Sequence, residues 1–209
     1  MSSNWCLTNQ DVTVHLLLIH LKLPVIDMTK LAINLVMIDV NWGICVVGAA
    51  RGNEWIGPLV VLFWILIHLR LIGKKWVSEL ILILGAGIMG FLIDTLLGLS
   101  GAIQFYRYSL GGVTSPPFMV ALWFSFATSL AFSLRWLQGR YFLGGAIGLV
   151  AGPLTYYGGM KLGAVQFSEN LIMAIGFIGI AWLISMPMLL GYREWVYAKL
   201  ECYSKPVLS

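Results

Sequence analysis

The residues best suited to chemistry are one carboxylate, two cations and two phenols near the ends of long apolar runs: Asp94, Arg107, Lys161, Tyr156 and Tyr157. An ionised carboxylate in hydrocarbon costs roughly 2.5–3.5 kcal/mol on insertion scales, so an acid within an apolar run is a functional candidate by default. We expect Asp94 to pair with Lys161 or Arg107. That pair is either a structural tether or part of a site.

The segment 152–161 (GPLTYYGGMK) concentrates helix breakers, phenols and a cation at the end of an apolar run. Pro153 lacks an N–H and crowds the carbonyl of Leu149, so the helix is expected to kink or open there. Broken helices at membrane depth persist only where protein or a wet cavity satisfies the freed backbone groups. This segment is therefore the leading candidate for a site.

A second polar set lies in the first apolar run. Asn34 and Asn41 share a helix face, whereas Asp39 lies nearer Trp42 and close to the expected centre of the bilayer. At that depth Asp39 is expected to be protonated or hydrogen-bonded. Asparagine and aspartate in such runs often link helices; ligand binding by this set is the alternative interpretation. His68 is interpreted as an interfacial residue.

Composition identifies the elements that must position these residues. The chain has 209 residues, of which 59% are hydrophobic and only 11% charged, whereas about a quarter is charged in soluble domains. Apolar runs near twenty residues match the roughly 30 Å of a bilayer core. The pattern predicts an all-α fold, a polytopic bundle of six transmembrane helices. The predicted spans are 31–50, 55–73, 77–99, 117–137, 141–160 and 171–190.

Lysine and arginine are unevenly distributed between the two sets of connecting segments, ten on one side and three on the other. The positive-inside rule therefore places both termini in the cytoplasm. Three segments result: an extension over 1–30, a transmembrane domain over 31–192 and a cytoplasmic tail over 193–209. The extension either lies on the membrane surface or precedes a native start at Met28.

Several classes of function are excluded by the same residues. The basic residues are scattered, which argues against nucleic acid as a partner. Only His68 among three histidines falls in the bundle, so no metal site is expected, and no cofactor motif is present. The GAGIMG stretch at 85–90 lies mid-span, where its glycines suit helix packing, and glycines recur at four-residue spacing over 144–152. Spans three and five are therefore predicted to touch.

Five groups of residues together resemble a family of small bacterial inner-membrane proteins classed as a domain of unknown function. They are Asn34 with Trp42, Gly48-Ala49, Gly90 with Asp94, Leu122-Trp123 with Phe126, and Gly152-Pro153-Leu154-x-Tyr156 continuing through Gly158 to Gly163. The resemblance covers roughly 30–192 and implies a multi-pass protein of the bacterial inner membrane. It departs at Asp39, where the family is expected to have glutamine. Members neighbour fatty-acid-modifying enzymes, which favours a lipid ligand.

Three functional hypotheses follow. The first is binding or movement of a lipid or small amphipathic molecule in an outward-facing cavity between spans one, three and five, with polar contacts from Asp94, Tyr156 and Lys161. The second is a membrane-embedded enzyme in which Asp94 is the acid/base and Tyr156 or Lys161 its partner. The third is a structural subunit without a cavity. Membrane lipids are expected partners in each, and the oligomeric state is left open.

Overall fold

A computed structural model describes residues 28–105 and 113–204 of the chain. The predicted extension up to residue 27, the candidate site residue Arg107 and the last five residues of the predicted tail lie outside the described residues.

Nearly all of the described chain is helical, so the predicted helical fold class is confirmed. The helices are α1 Met28–Ala50, α2 Ile56–Ile72, α3 Trp76–Leu99, α4 Pro117–Ser129, α5 Tyr141–Lys161 and α6 Leu171–Ser204. Short 3-10 turns occupy Gly73–Lys75 and Arg135–Leu137. Two strands of two residues each, β1 Ile103–Gln104 and β2 Gln166–Phe167, form a small antiparallel ladder that was not predicted.

Within residues 28–105 and 113–204, three stretches are long and apolar enough to cross a membrane: Met28–Ala50, Ile56–Leu99 and Leu171–Leu200. Large apolar side chains cover the outer surface, with Phe142 90% exposed, as expected where hydrocarbon is the solvent. The protein is therefore a helical membrane protein.

The stretch Ile56–Leu99 folds back on itself as a hairpin of α2 and α3. Nε2 of His68 lies 2.7 Å from Oε1 of Glu79. The same eleven residues in one straight helix would separate the two positions by roughly 16 Å. Gly73, with a φ of 68°, ends α2 and permits the reversal.

One end of the bundle, which we call the ladder end, is tied together by loop hydrogen bonds. The ladder joins the segments that follow α3 and α5. The N–H of Ser168, just before α6, donates to the carbonyl of Ala102 over 3.0 Å. The N–H of Ser115, just before α4, donates to the hydroxyl of Thr95 over 3.1 Å. Thus α3 and α5 end where α4 and α6 begin.

The opposite end, which we call the basic end, is tied by side chains. Glu79 at the start of α3 accepts hydrogen bonds from His68 near the end of α2 and from Tyr197 near the end of α6. Asn34 near the start of α1 bonds Thr128 at the end of α4. The six helices of the described part of the chain therefore alternate in direction.

Two helix boundaries differ from the predicted spans. Helix α4 ends at Ser129, well before the predicted limit of 137. The Thr128 and Ser129 hydroxyls donate to carbonyls three residues earlier, and such bonds compete with the helical ladder. Helix α6 continues to Ser204 instead of stopping at 190, so much of the predicted tail belongs to it.

Spans three and five touch as predicted, at Tyr156 and Asp94, but their glycine-rich faces pack against other helices. A Cβ on Gly90 of α3 would lie 2.0 Å from Trp123 of α4, and one on Gly148 of α5 would lie 2.6 Å from the carbonyl oxygen of Trp182 of α6. The small residues do permit close approach, but the α3 face serves α4 and the α5 face serves α6.

The sequence predicts that the helix kinks or opens at Pro153, and of these two outcomes the opening does not occur. Helix α5 is continuous from Tyr141 to Lys161. Pro153 is buried against α6, with its Cγ 3.5 Å from the Cβ position of Gly179. The freed backbone groups therefore lie within the packed α5–α6 pair and do not form the wall of a broken helix.

Candidate functional site

Asp94 is fully buried between the helices, near the end of α3, and is held by three neutral donors. Its Oδ1 accepts a hydrogen bond from the hydroxyl of Tyr156. Its Oδ2 accepts the indole N–H of Trp123 over 2.9 Å and the hydroxyl of Ser115 over 3.4 Å. The donors come from α5, α4 and the segment before α4. The carboxylate therefore fastens three separate elements to α3.

The local sequence explains how the indole reaches the acid. Gly90 lies one helical turn before Asp94, on the same face of α3. Any side chain at Gly90 would overlap the Trp123 ring, because even a Cβ would lie 2.0 Å from Trp123 Cγ. The absence of a side chain at Gly90 lets Trp123 lie flat against α3 with its N–H directed at Asp94.

A cavity of about 460 Å³ lies on the other side of Tyr156 and Trp123. It is lined by α1, α4, α5 and the Trp182 region of α6, and it is partly open to the surroundings. Asp94 does not line it, so the predicted cavity between spans one, three and five is wrong in one respect. Helices α4 and α6 take the place of α3.

Aromatic rings form much of the cavity wall: Trp42, Trp123, Phe126 and Trp182. Trp123 and Trp182 are stacked, with ring centroids 4.8 Å apart and planes 13° apart. Phe126 meets Trp182 edge-on at 5.3 Å. Such pairs are worth about 0.5–1.5 kcal/mol beyond the area they bury, so the contacts between these rings stabilise the cavity wall.

The polar groups of the cavity are few: Asp39, Ser125, Thr155 and Tyr156. No lysine, arginine or histidine is among its lining residues. Thr155 donates its hydroxyl to the carbonyl of Ala151 over 2.9 Å and Ser125 accepts from Asn41. Among the described residues, the buried indole N–H of Trp182 has no hydrogen-bond partner.

The structure brings together some of the predicted site residues and separates others. Asp39, Trp42 and Tyr156 line the cavity, and Asp94 supports Tyr156 from behind. The expected Asp94–Lys161 pair is not formed. Lys161 is exposed, and its Nζ lies 5.3 Å from the centroid of the Tyr157 ring, outside the cavity. A cation at the end of the helix can reach water there, whereas Asp94 is sealed off by its own donors.

Asn34 and Asn41 lie between helices and away from the cavity surface. Nδ2 of Asn34 donates to Thr128, and its Oδ1 accepts the hydroxyl of Ser133 over 2.7 Å. Nδ2 of Asn41 donates to Ser125 over 2.9 Å. Both amides are fully buried. They fix α1 against α4 and so set the position of Asp39 and Trp42 at the cavity.

Sequence reasoning missed two features. Trp123 and Trp182 were not identified as site residues, because two indoles about sixty positions apart give no sequence signal of stacking. The second is a buried cluster of His68, Glu79 and Tyr197 at the basic end. The sequence pattern that could have predicted this cluster is a histidine and a glutamate on either side of a short turn between two apolar runs.

Within residues 28–105 and 113–204, no group of three or more histidine, cysteine, aspartate or glutamate side chains converges as metal ligands. The arrangement can hold an apolar or aromatic group between indoles, offer a few polar contacts, and keep a hydrogen-bonded phenol at the wall.

The model of a family described as "Protein of unknown function (DUF2878)" matches residues 31–188. This range includes every residue that lines the cavity, together with Asp94. No curated protein and no solved structure matches the chain. The match extends over most of the chain and confirms the predicted membership of a family of unknown function. The bacterial inner membrane and the role of the Gly-Pro-Leu-x-Tyr residues stay predictions. The chain belongs to the DUF2878 family of proteins of unknown function.

Proposed function

We propose that this protein binds a lipid or small amphipathic molecule in the aromatic cavity between α1, α4, α5 and α6. The observation that carries the proposal is the cavity itself, about 460 Å³ in volume and walled mainly by apolar and aromatic side chains. Ligand sites typically measure about 300–1,000 Å³, with apolar walls and a few polar groups that fix orientation.

The position of Asp94 supports binding over catalysis. A general acid or base must come within hydrogen-bond reach of the substrate. Asp94 is fully buried and already accepts hydrogen bonds from Tyr156, Trp123 and Ser115. It acts as a positioning residue that orients two cavity side chains. The hypothesis of a purely structural subunit predicts no cavity, so the cavity argues against it.

The topology proposed with this function is six crossings of the bacterial inner membrane with the basic end in the cytoplasm. The alternating directions of the six helices support it. So does the charge distribution, since eight of the ten described lysines and arginines belong to the basic end. The cavity then extends from mid-membrane toward the outer leaflet, and the bacterial location rests on the family resemblance.

The test enlarges a side chain that lines the cavity and measures the effect on binding of a neutral single-chain amphiphile. A monoacylglycerol with a dibrominated chain quenches tryptophans that it touches, and three indoles line the cavity. The protein in neutral nanodiscs is titrated as wild type, as Leu122→Trp, which enlarges a lining side chain, and as Leu62→Trp. Leu62 is 55% exposed on α2 and outside the cavity, so it is the matched control.

Saturable quenching is expected in the wild type and in Leu62→Trp, with at least a tenfold weaker affinity in Leu122→Trp. Equal quenching in all three proteins would mean that the probe reports only bilayer partitioning, and the proposed site would then be abandoned.

A further inference from the structure

The cavity is lined by one acidic side chain and by no basic one. Asp39 is the single ionisable carboxylate among the lining residues, which include no lysine, arginine or histidine. Among the residues that the structure describes, Asp39 makes no hydrogen bond and no ion pair. No other charged side chain is among the residues that line the cavity.

An unpaired acid at this depth requires an explanation. Asp39 lies eleven residues into α1, which places it roughly 16 Å along the helix from Met28 and thus near the middle of a bilayer about 30 Å thick. Charged residues at such depth are costly and mark ligand or ion pathways. The structural partners in this region, Asn34 and Asn41, are already bonded to α4, so Asp39 has no part in holding the helices together.

The rest of the wall suits a positive charge. Trp42, Trp123, Phe126 and Trp182 line the same cavity as Asp39. Aromatic rings attract cations through the negative potential over their faces, most strongly for tryptophan, and aromatic cages with this property bind quaternary ammonium groups. The carboxylate and the three indoles that line this cavity thus all favour a positively charged ligand.

We propose that the cavity takes an amphipathic organic cation, a protonated or quaternary amine, with Asp39 as its counter-ion and the indoles as its aromatic wall. This inference rests on the proposed binding function and specifies the charge of the ligand. The apolar part of the ligand lies against the aliphatic side chains of the wall, such as Leu122 and Leu154.

Amine chemistry can come from a free amphipathic amine or from the headgroup of a phospholipid. A phospholipid brings a phosphate with its amine, and the cavity offers that phosphate no cation. Burying an unpaired charge is unfavourable. The free amine is therefore the favoured source, and a matched pair of probes distinguishes the two.

The experiment is calorimetric titration of the protein in neutral nanodiscs, with empty nanodiscs subtracted. Three probes carry the same dodecyl chain: dodecyltrimethylammonium, dodecylphosphocholine and dodecyl sulfate. Each is added below its micellar concentration to the wild type, to Asp39→Asn and to Glu169→Gln. Glu169 is an exposed acid outside the cavity, so its substitution removes the same charge elsewhere.

The trimethylammonium probe is expected to bind the wild type and Glu169→Gln at least tenfold more tightly than dodecyl sulfate. Asp39→Asn should weaken binding of the trimethylammonium probe at least tenfold and should not weaken binding of the sulfate probe, because the substitution removes the charge that repels an anion. Trp42→Leu, which removes one ring and no charge, should weaken the cation more than the sulfate. Stronger binding of dodecylphosphocholine than of dodecyltrimethylammonium would assign the site to a phospholipid headgroup and overturn the free-amine assignment.

The outcomes also distinguish failure of the cation assignment from failure of the proposed binding function. If all three probes bind alike and Asp39→Asn changes none of them, the cavity binds amphiphiles without regard to charge, and only the cation assignment fails. If none of the probes binds and the dibrominated monoacylglycerol does not bind either, both proposals fail together.

Discussion

The hydroxyl of Tyr156 on α5 donates a hydrogen bond to the carboxylate of Asp94 on α3, across two helices that otherwise have few contacts. Tyr156 lines the cavity with one side of its ring and closes off Asp94 with its hydroxyl. The pair thus connects a fully buried polar group to a surface that a ligand can reach. Its energetics therefore bear on both stability and binding.

Tyr156→Phe is expected to destabilise the protein, because it removes one of three donors from a buried carboxylate. Leaving a buried polar group without a partner costs about 1–3 kcal/mol. The neighbouring Tyr157→Phe is the matched control, since Tyr157 contacts Lys161 outside the bundle and retains its ring. The stability of both variants is measured by unfolding in increasing concentrations of a denaturing detergent. Equal losses in the two variants would contradict the assigned role of the Tyr156–Asp94 bond.

Asp94→Asn and Asp94→Ala are expected to differ strongly. Asparagine keeps an oxygen for Trp123 and can donate its amide to the Tyr156 hydroxyl, which is able to accept. Alanine leaves the Tyr156, Trp123 and Ser115 donors without an acceptor, which costs about 1–3 kcal/mol for a buried group. We expect a folded Asn variant that binds the neutral probe, and a poorly expressed Ala variant. The elution profile in detergent and the quenching titration are the measurements.

If Asp94→Asn folds with normal stability and yet loses all binding of the neutral probe, the charge on Asp94 is needed at the ligand. The interpretation of Asp94 as a positioning residue would then be wrong.

The sequence was enough to predict the helical membrane fold and the ends of most helices, because apolar runs near bilayer length are an unambiguous pattern. The boundaries of α2 and α3 fall within one residue of prediction. Helix α4 ends earlier than predicted, at the point where the hydroxyls of Thr128 and Ser129 donate to carbonyls three residues earlier. Their choice of partner depends on tertiary packing against α1.

The partners of Asp94 could not be predicted for a related reason. Charge alone favoured Lys161, but a lysine near a helix end reaches water at little cost. Tyrosine and tryptophan supply hydrogen bonds without a second buried charge. The glycine patterns likewise predicted close approach without naming the neighbour, since Gly90 and Gly152 both meet indoles of other helices.

The buried His68–Glu79 pair is expected to show strong energetic coupling in a double-mutant cycle. Both side chains are fully buried, and Glu79 also accepts the Tyr197 hydroxyl. Directly contacting residues couple by about 0.5–3 kcal/mol. The cycle uses His68→Leu, Glu79→Leu and the double variant. We expect the double variant to lose less free energy of unfolding than the two single variants lose together, because it leaves neither a buried histidine nor a buried glutamate without its partner.

The exposed Tyr141–Glu194 hydrogen bond at the same end of the bundle is the control for this cycle. Exposed polar pairs contribute about 0–1 kcal/mol. A coupling for His68–Glu79 no larger than that for Tyr141–Glu194 would mean that the buried pair is not what joins α2 to α3.

The proposed topology predicts which exposed positions react with a membrane-impermeant thiol reagent. In a background lacking the three native cysteines, Glu169→Cys at the ladder end should be labelled in intact cells, and Lys74→Cys at the basic end only after lysis. Both positions are exposed, so access to the reagent depends on sidedness. The reverse pattern would invert the orientation, and labelling of both in intact cells would contradict the six crossings.

Gly152→Ala is expected to disturb the cavity wall from behind. A Cβ on Gly152 would lie 2.3 Å from Trp182 Cγ, which is closer than any real contact, so the indole must move. Trp182 stacks on Trp123 within the wall, and overpacking of this kind typically costs about 1–3 kcal/mol. Both the unfolding midpoint in denaturing detergent and the affinity for the neutral amphiphile should fall.

Gly176→Ala is the control for this substitution, because a Cβ there meets nothing within 4 Å. Alanine is also the better helix former, by about 1 kcal/mol, so this variant should be as stable as the wild type or more so. If Gly152→Ala binds the amphiphile as the wild type does, Trp182 can shift without affecting the ligand, and the stacked pair is then not part of the binding surface.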